Sequence, residues 1–171
     1  AALTSELSCV RGARSFLAVQ ISATLRPTPT PVTYRSVPQL DLSWNALRLE
    51  GAKALEPALI HGSLIKLLVG NNAFGNEGAA VIRDALRERK LSKMQELGLD
   101  GNNIDADGAE SVAALCVASS SLTSINLRGN ALGVEGWTTI LSALRDHPQN
   151  RIKVWDFSNM RTLVPNIVSV L

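Results

Sequence analysis

Several side chains in this 171-residue chain are of types that could do chemistry, and their spacing decides whether they can. Asn103, Asp105, Asp107 and Gly108 fall where a calcium loop has its first, third, fifth and sixth positions. The twelfth position needs a bidentate Glu to close the cage, and Ala114 stands there instead. Gly70, Gly75 and Gly78 look like a phosphate-cradling loop, but the Lys-Ser/Thr that would hold phosphate and metal does not follow. His61 and His147 lie far apart, each expected at a helix C-terminus, where a positive charge meets the favourable end of the dipole. Cys9 and Cys116 stand outside any CxxC and offer neither a zinc site nor a disulfide framework. Arg83, Arg87, Arg89, Lys90 and Lys93 make a basic run, but Asp84 and Glu88 interrupt it, and a solvated helix face is expected. No GxSxG, HExxH or paired-carboxylate arrangement occurs. The expectation is a chain that is no enzyme and takes no metal or cofactor.

Four asparagines, Asn45, Asn72, Asn102 and Asn130, look catalytic in isolation and structural in context. Each sits in a copy of LxLxxNxL: Leu40 to Leu47, Leu67 to Phe74, Leu97 to Ile104 and Ile125 to Leu132. Val37, Leu64, Met94 and Leu122 supply an apolar residue three places before each copy, and the period is 27, then 30, then 28 residues. Six residues after each Asn comes Gly51, Gly78, Gly108 or Gly136. An aliphatic residue follows four places on, at Leu55, Ile82, Val112 and Ile140, and eight places on stand Leu59, Leu86, Cys116 in place of a core Leu, and Leu144. A worn fifth copy runs through Ile152, Trp155, Phe157 and Asn159.

The elements that position these residues follow from the spacing. Leu-x-Leu sends two side chains to one face of a short strand and the residue between them to the other. The Asn can bond backbone groups of the loop leaving the strand. The Gly allows tight entry into a helix, and the aliphatics four apart put one helical face on the strand. One such unit cannot bury its own apolar face, whereas stacked units share a continuous core.

These motifs resemble the leucine-rich repeat family, in its ribonuclease-inhibitor-like class with a full helix per repeat of about 28 residues. That class includes the repeat domains of nucleotide-binding, NOD-like innate-immune receptors and of the GTPase-activating protein for Ran. The stretch LDLSWNALRLEGAKAL is similar to cytosolic and ciliary proteins of this class. The resemblance covers about residues 37 to 159. It implies an α/β fold: a right-handed solenoid, or horseshoe, of about four to five β-α repeats with a preceding helix. It is nearly silent on function, because repeats encode a shape and variable positions choose the partner.

The ends differ from the middle. Residues 1–36 are read as an N-terminal helix and a Pro-rich linker, and residues 37–171 as the repeat domain with a C-terminal closing segment. Apolar residues from Leu3 to Leu25 have helical spacing, and Pro27, Pro29 and Pro31 then impose an extended stretch. That helix caps the first repeat or belongs to a degenerate one, docks on a partner, or is an Arg-rich targeting remnant. The chain does not start with Met, as expected of a processed or partial chain. The apolar run Leu163 to Leu171 either closes the last repeat or continues into a further portion. Net charge is +2, with +3 in residues 1–36 and −1 in the rest, so no direct nucleic-acid or membrane partner is expected. No apolar run reaches the ~18 residues of a membrane span. A cytoplasmic location is expected, with the cilium or axoneme, or the mitochondrion if the N-terminus is a targeting remnant, as alternatives.

What remains is a surface. The residues between and just after the strand leucines face the concave side: Asp41, Ser43 and Trp44; Leu68, Gly70 and Asn71; Gly98, Asp100 and Gly101; Asn126, Arg128 and Gly129; and, in the worn copy, Asp156 and Ser158. Asp41, Trp44, Leu68, Asn71, Asp100, Asn126, Arg128 and Asp156 are the candidate partner-binding residues. Trp44 stands out as a large aromatic where later repeats have Asn or Gly; it is read either as an interface anchor or as packed under the N-terminal segment. The leading expectation is a non-enzymatic module that binds a protein partner, free or as a subunit of a large complex. Alternatives are a regulator of a small GTPase resembling the Ran activator, and a repeat fragment of an innate-immune nucleotide-binding receptor. The termini are the competing interface.

Overall fold

In the computed structural model the described residues are 39–61, 64–88 and 93–156. Five strands and four helices alternate along them. The strands are β1 (Gln39–Asp41), β2 (Lys66–Leu68), β3 (Glu96–Gly98), β4 (Ser124–Asn126) and β5 (Val154–Asp156). The helices are α1 (Arg48–His61), α2 (Gly75–Glu88), α3 (Ala106–Ala118) and α4 (Gly133–Asp146). The strands form one parallel sheet in sequence order, β1 to β5, and each helix is packed against the next along the stack. This is the repeat solenoid that the spacing implies. Strand register puts Leu40, Leu67, Leu97, Ile125 and Trp155 side by side, so the worn copy enters the sheet in phase with the others.

The core lies between sheet and helices. Leu40, Leu42, Leu67, Val69, Leu97, Leu99, Ile125 and Leu127 are buried from the strand side. Leu55, Leu59, Ile82, Leu86, Val112, Cys116 and Ile140 are buried from the helix side, and Leu144 is half-buried. Leu64, Met94 and Leu122 close the core beneath the strands. This is one continuous apolar layer, with each repeat buried against its neighbours.

The asparagines do more than brace their own loops. Asn72 Oδ1 accepts the backbone N–H of Asn45 at 3.0 Å and of Leu47 at 3.3 Å, both in the preceding repeat. Its Nδ2 donates to Val69 O in its own repeat and to Leu42 O in the one before, each at 2.9 Å. Asn102 and Asn130 repeat the arrangement one and two steps along. A buried amide thus satisfies buried backbone groups of two repeats at once.

The regularly spaced Gly51, Gly78, Gly108 and Gly136 have a different use from the expected one. These residues lie inside the first turn of their helices, not at the entry. A Cβ on Gly136 would stand 3.1 Å from Ala109 Cβ and 3.2 Å from Ala106 Cα, so the missing side chain sets how closely α4 approaches α3. Entry is made three residues after each Asn. Arg48, Gly75 and Gly133 take left-handed φ of 54°, 67° and 61°, while Asp105 is extended and caps α3 by accepting Asp107 N–H at 3.0 Å.

The N-terminal helix and linker, Val37, Cys9, Phe157, Asn159 and the apolar run from Leu163 lie outside the described residues.

Candidate functional site

Alternation along the strands sends Gln39, Lys66, Glu96, Ser124 and Val154, and then Asp41, Leu68, Gly98 and Asn126, to the face away from the helices. The chain then leaves each strand through Ser43, Gly70, Asp100 and Arg128, and turns at Trp44, Asn71, Gly101 and Gly129. That turning row is left-handed throughout, with φ of 65°, 56°, 60° and 70°. The turns are tied from repeat to repeat. Trp44 N–H donates to Gly70 O at 2.9 Å, Asn71 N–H to Asp100 O at 2.7 Å and Gly101 N–H to Arg128 O at 2.8 Å. Asn and Gly tolerate this conformation, whereas a Trp in it is under a strain of about 1–2 kcal/mol. Trp44 is nevertheless held there and is 65% exposed.

The middle of the face is organised by Asp100. Its Oδ2 accepts from Asn71 Nδ2 and its Oδ1 from Asn126 Nδ2, both at 3.2 Å, so three predicted residues from three repeats form one network. Two glycines make room for it. Asp100 lies over Gly70, and Leu68 lies over Gly98, where a Cβ would meet Leu68 Cδ2 at 2.9 Å. At the edges Asp41 accepts Ser43 N–H, Asn126 accepts Arg128 N–H, each at 3.0 Å, and Arg128 is exposed. Asp156 pairs in register with Asn126, while its side chain lies outside the described set.

The first row of the face was not among the predicted residues. Lys66 and Glu96, partners in register, form an ion pair at 2.6 Å, and Val154 is 59% exposed. The period-2 rule that selected Asp41 and Leu68 also selects the residue two places before each, and that signal finds the row.

The other chemistry-bearing residues are used by the scaffold. Asp105 receives Asn76 Nδ2 at 2.7 Å as well as the cap N–H, and the Asn76 bond, seconded by backbone donors, holds its carboxyl below the usual range. Gly75 opens α2 and Gly78 packs inside it, against Phe74 and Ala52. Arg83 pairs with Asp84 at 2.8 Å and reaches Ser111 of the next helix at 2.9 Å. Arg87 and Lys93 are exposed, and Arg89 and Lys90 lie outside the described residues. His61 ends α1; His147 follows α4, its Nδ1 2.8 Å from Ala143 O. The Cys116 thiol is free and buried, and burial pushes its pKa up to about 12. Among the described residues no cluster of His, Cys, Asp and Glu could hold a metal ion, and no helix is long and apolar enough to cross a membrane.

Comparison with known proteins agrees with this geometry. A family described as Leucine Rich repeat matches residues 36–55, 90–113 and 118–141. NACHT, LRR and PYD domains-containing protein 12 of Homo sapiens is 33% identical over 92 residues, 54% of this chain and 8% of that protein. NACHT, LRR and PYD domains-containing protein 3 of Macaca mulatta is 29% identical over 97 residues, 57% of this chain and 9% of its own length. Protein 13 of the same series in Homo sapiens is 29% identical over 107 residues, 62% of this chain and 10% of its own length. The chain therefore spans at most about a tenth of the curated relatives described. With its asparagine-linked repeats, parallel sheet and helical outer layer, the chain has an α/β repeat-solenoid fold, and its repeats are similar to the Leucine Rich repeat family and to segments of NACHT, LRR and PYD domains-containing proteins.

Proposed function

We propose that this chain is a non-enzymatic interaction module that binds a protein partner through the strand face, with Trp44, Asp100 and Arg128 as its principal contacts. The observation that supports it is Trp44, a strained and exposed aromatic at a position where the fold itself is served by Asn or Gly. Exposed Trp and Arg are the side chains most enriched among interface anchors. Asp41 and Asp100 offer acceptors and Arg128 a planar donor fork, a mixed-charge strip suited to a protein surface rather than a phosphate backbone. The free thiol of Cys116 is in keeping with a reducing compartment such as the cytoplasm.

The test is capture of partners from lysate on the parent chain and on the Trp44→Ala/Arg128→Glu variant, followed by mass spectrometry. A partner recovered with the parent and lost with the folded variant supports the reading. Equal recovery of every partner contradicts it.

One observation favours a second, narrower reading. The relatives matched are receptors whose names include NACHT and PYD domains, and the match falls on about a tenth of each. In that reading the chain is the repeat segment of such a receptor. Sequencing the full-length transcript tests it: an upstream nucleotide-binding domain in frame supports it, and a terminated repeat-only reading frame contradicts it.

A further inference from the structure

We propose that the side of α4 away from α3 is closed by the chain's own apolar segment, residues 163–171, seated on Trp137 and Leu141, and that regular repeat stacking stops there. This does not depend on the strand-face reading. Along the earlier helices three positions, counted from the helix glycine, meet the helix that follows. Two places before the glycine, Asn76 donates to Asp105 at 2.7 Å, and Ala106 Cα lies 3.2 Å from where a Cβ on Gly136 would stand. One place after it, Ala52 and Ala109 lie 3.4 Å and 3.1 Å from where a Cβ on Gly78 and on Gly136 would stand. Five places after it, Arg83 reaches Ser111 at 2.9 Å. In α4 these positions hold Val134, Trp137 and Leu141.

α4 is the last helix among the described residues, yet Trp137 is 5% and Leu141 8% exposed, while Val134 is 42% exposed. Where Ala52 and Ala109 leave room for a glycine-faced helix, an indole fills that room, so the cover is not a further helix at the same spacing. A second copy or another repeat would need that spacing. Counting along the chain names the cover. Asp41 to Arg48, Leu68 to Gly75 and Asn126 to Gly133 are each seven residues from strand end to helix start. Seven residues after Asp156 stands Leu163, the first residue of the apolar run. Leu40, Leu67, Leu97 and Ile125 are each followed eleven residues on by the helix glycine, whereas eleven residues after Trp155 comes Asn166, behind Pro165. The run therefore offers no glycine face. It offers Leu163, Val164, Ile167, Val168, Val170 and Leu171, which leave water by packing on apolar side chains. A terminal unit of a solenoid has a neighbour on one side only and needs such a cover.

The test uses the full chain with photo-reactive p-benzoylphenylalanine in place of Val134, at the open edge of this face. Chains of two isotopic compositions are mixed, irradiated and digested with trypsin, which cuts after Arg161. A cross-link within one chain to the peptide of residues 162–171 is expected. Any pattern without that peptide overturns the proposal, whether the links run between chains, to residues 1–36 or only to the described helices. A second measurement reads the burial itself. In the chain labelled with 5-fluorotryptophan, the fluorine resonance of Trp137, assigned by Trp137→Phe, should show only a small part of the H2O/D2O isotope shift of Trp44, which is 65% exposed. In Ile167→Asp/Val170→Asp the Trp137 isotope shift should rise to that of Trp44, with the backbone amide signals of β1 to β4 unmoved. An unaltered Trp137 isotope shift in the folded variant overturns the proposal, and if the variant fails to fold the cross-link alone decides.

Discussion

The Asp100 carboxylate occupies the space above Gly70 that a side chain there would take: a Cβ would stand 2.5 Å from Oδ2 and 2.6 Å from Oδ1. The two residues lie 30 apart in sequence, one repeat from each other, and the relationship couples the composition of one strand to the side-chain position of the next.

Gly70→Ala should therefore move Asp100 without unfolding the chain. The atoms it meets are the far end of a flexible side chain, so the expected cost is the two amide bonds, on the order of 1 kcal/mol. Urea denaturation reads the stability, and the Asn71 and Asn126 side-chain amide NMR signals read the displacement. A loss large enough to unfold the chain, or unmoved amide signals, contradicts the description.

Asn102→Ala should be far more costly. Asn102 is fully buried, its Oδ1 accepts from Asn72 and Phe74, and its Nδ2 donates to Val69 O at 2.9 Å and Asp100 O at 3.2 Å. Each buried group left unsatisfied costs about 1–3 kcal/mol, so a loss above ~3 kcal/mol is expected. The midpoint of urea unfolding should fall with little change in slope. A variant that unfolds together with the parent would contradict the shared role of this amide in two repeats.

Trp44→Gly should leave the protein as stable or more stable, by up to about 1 kcal/mol. Relief of the left-handed strain outweighs the entropy that Gly adds to the unfolded chain. The same change should weaken binding, a trade expected where a residue is kept for function rather than fold. A substantial fall in melting temperature would show instead that the indole packs as part of the scaffold.

Cys116 gives the pH prediction. Burial raises its pKa from 9.0 to about 12, so between those values the native thiol keeps a proton that the unfolded chain has released. Stability is thus unaffected by this thiol below about pH 9 and falls as pH rises towards 12, by on the order of 1 kcal/mol per unit. In a Cys9→Ser background, Cys116→Val should flatten part of that alkaline fall, and the native thiol should resist a disulfide reagent at pH 8. Rapid reaction of the folded chain would contradict the burial.

Much of this architecture was legible in the sequence because it is periodic. Leu40, Leu67, Leu97 and Ile125 recur with the same neighbours, and burial follows from position alone. The in-register Trp155 shows that even the worn copy carried enough of the pattern. The asparagines were read as bracing their own loops; that Asn72, Asn102 and Asn130 also hold the preceding repeat depends on strand stacking, which no single copy encodes. The same is true of Asp100, whose partners Asn71 and Asn126 lie 29 and 26 residues away. Trp44 was marked by its type, but its left-handed backbone is a property of the turn and became visible only beside Asn71, Gly101 and Gly129.

The central claim is that the strand face, not the helix face, carries partner binding. It is tested most directly by the affinity of one captured partner for two folded double variants. These are Trp44→Ala/Arg128→Glu on the strand face and Arg87→Glu/Glu110→Lys on the exposed helix face. With an anchor worth about 2 kcal/mol, the strand-face variant should bind at least ~30-fold more weakly, and the helix-face variant within about 3-fold of the parent. An unweakened strand-face variant beside a helix-face variant that no longer binds would contradict the account.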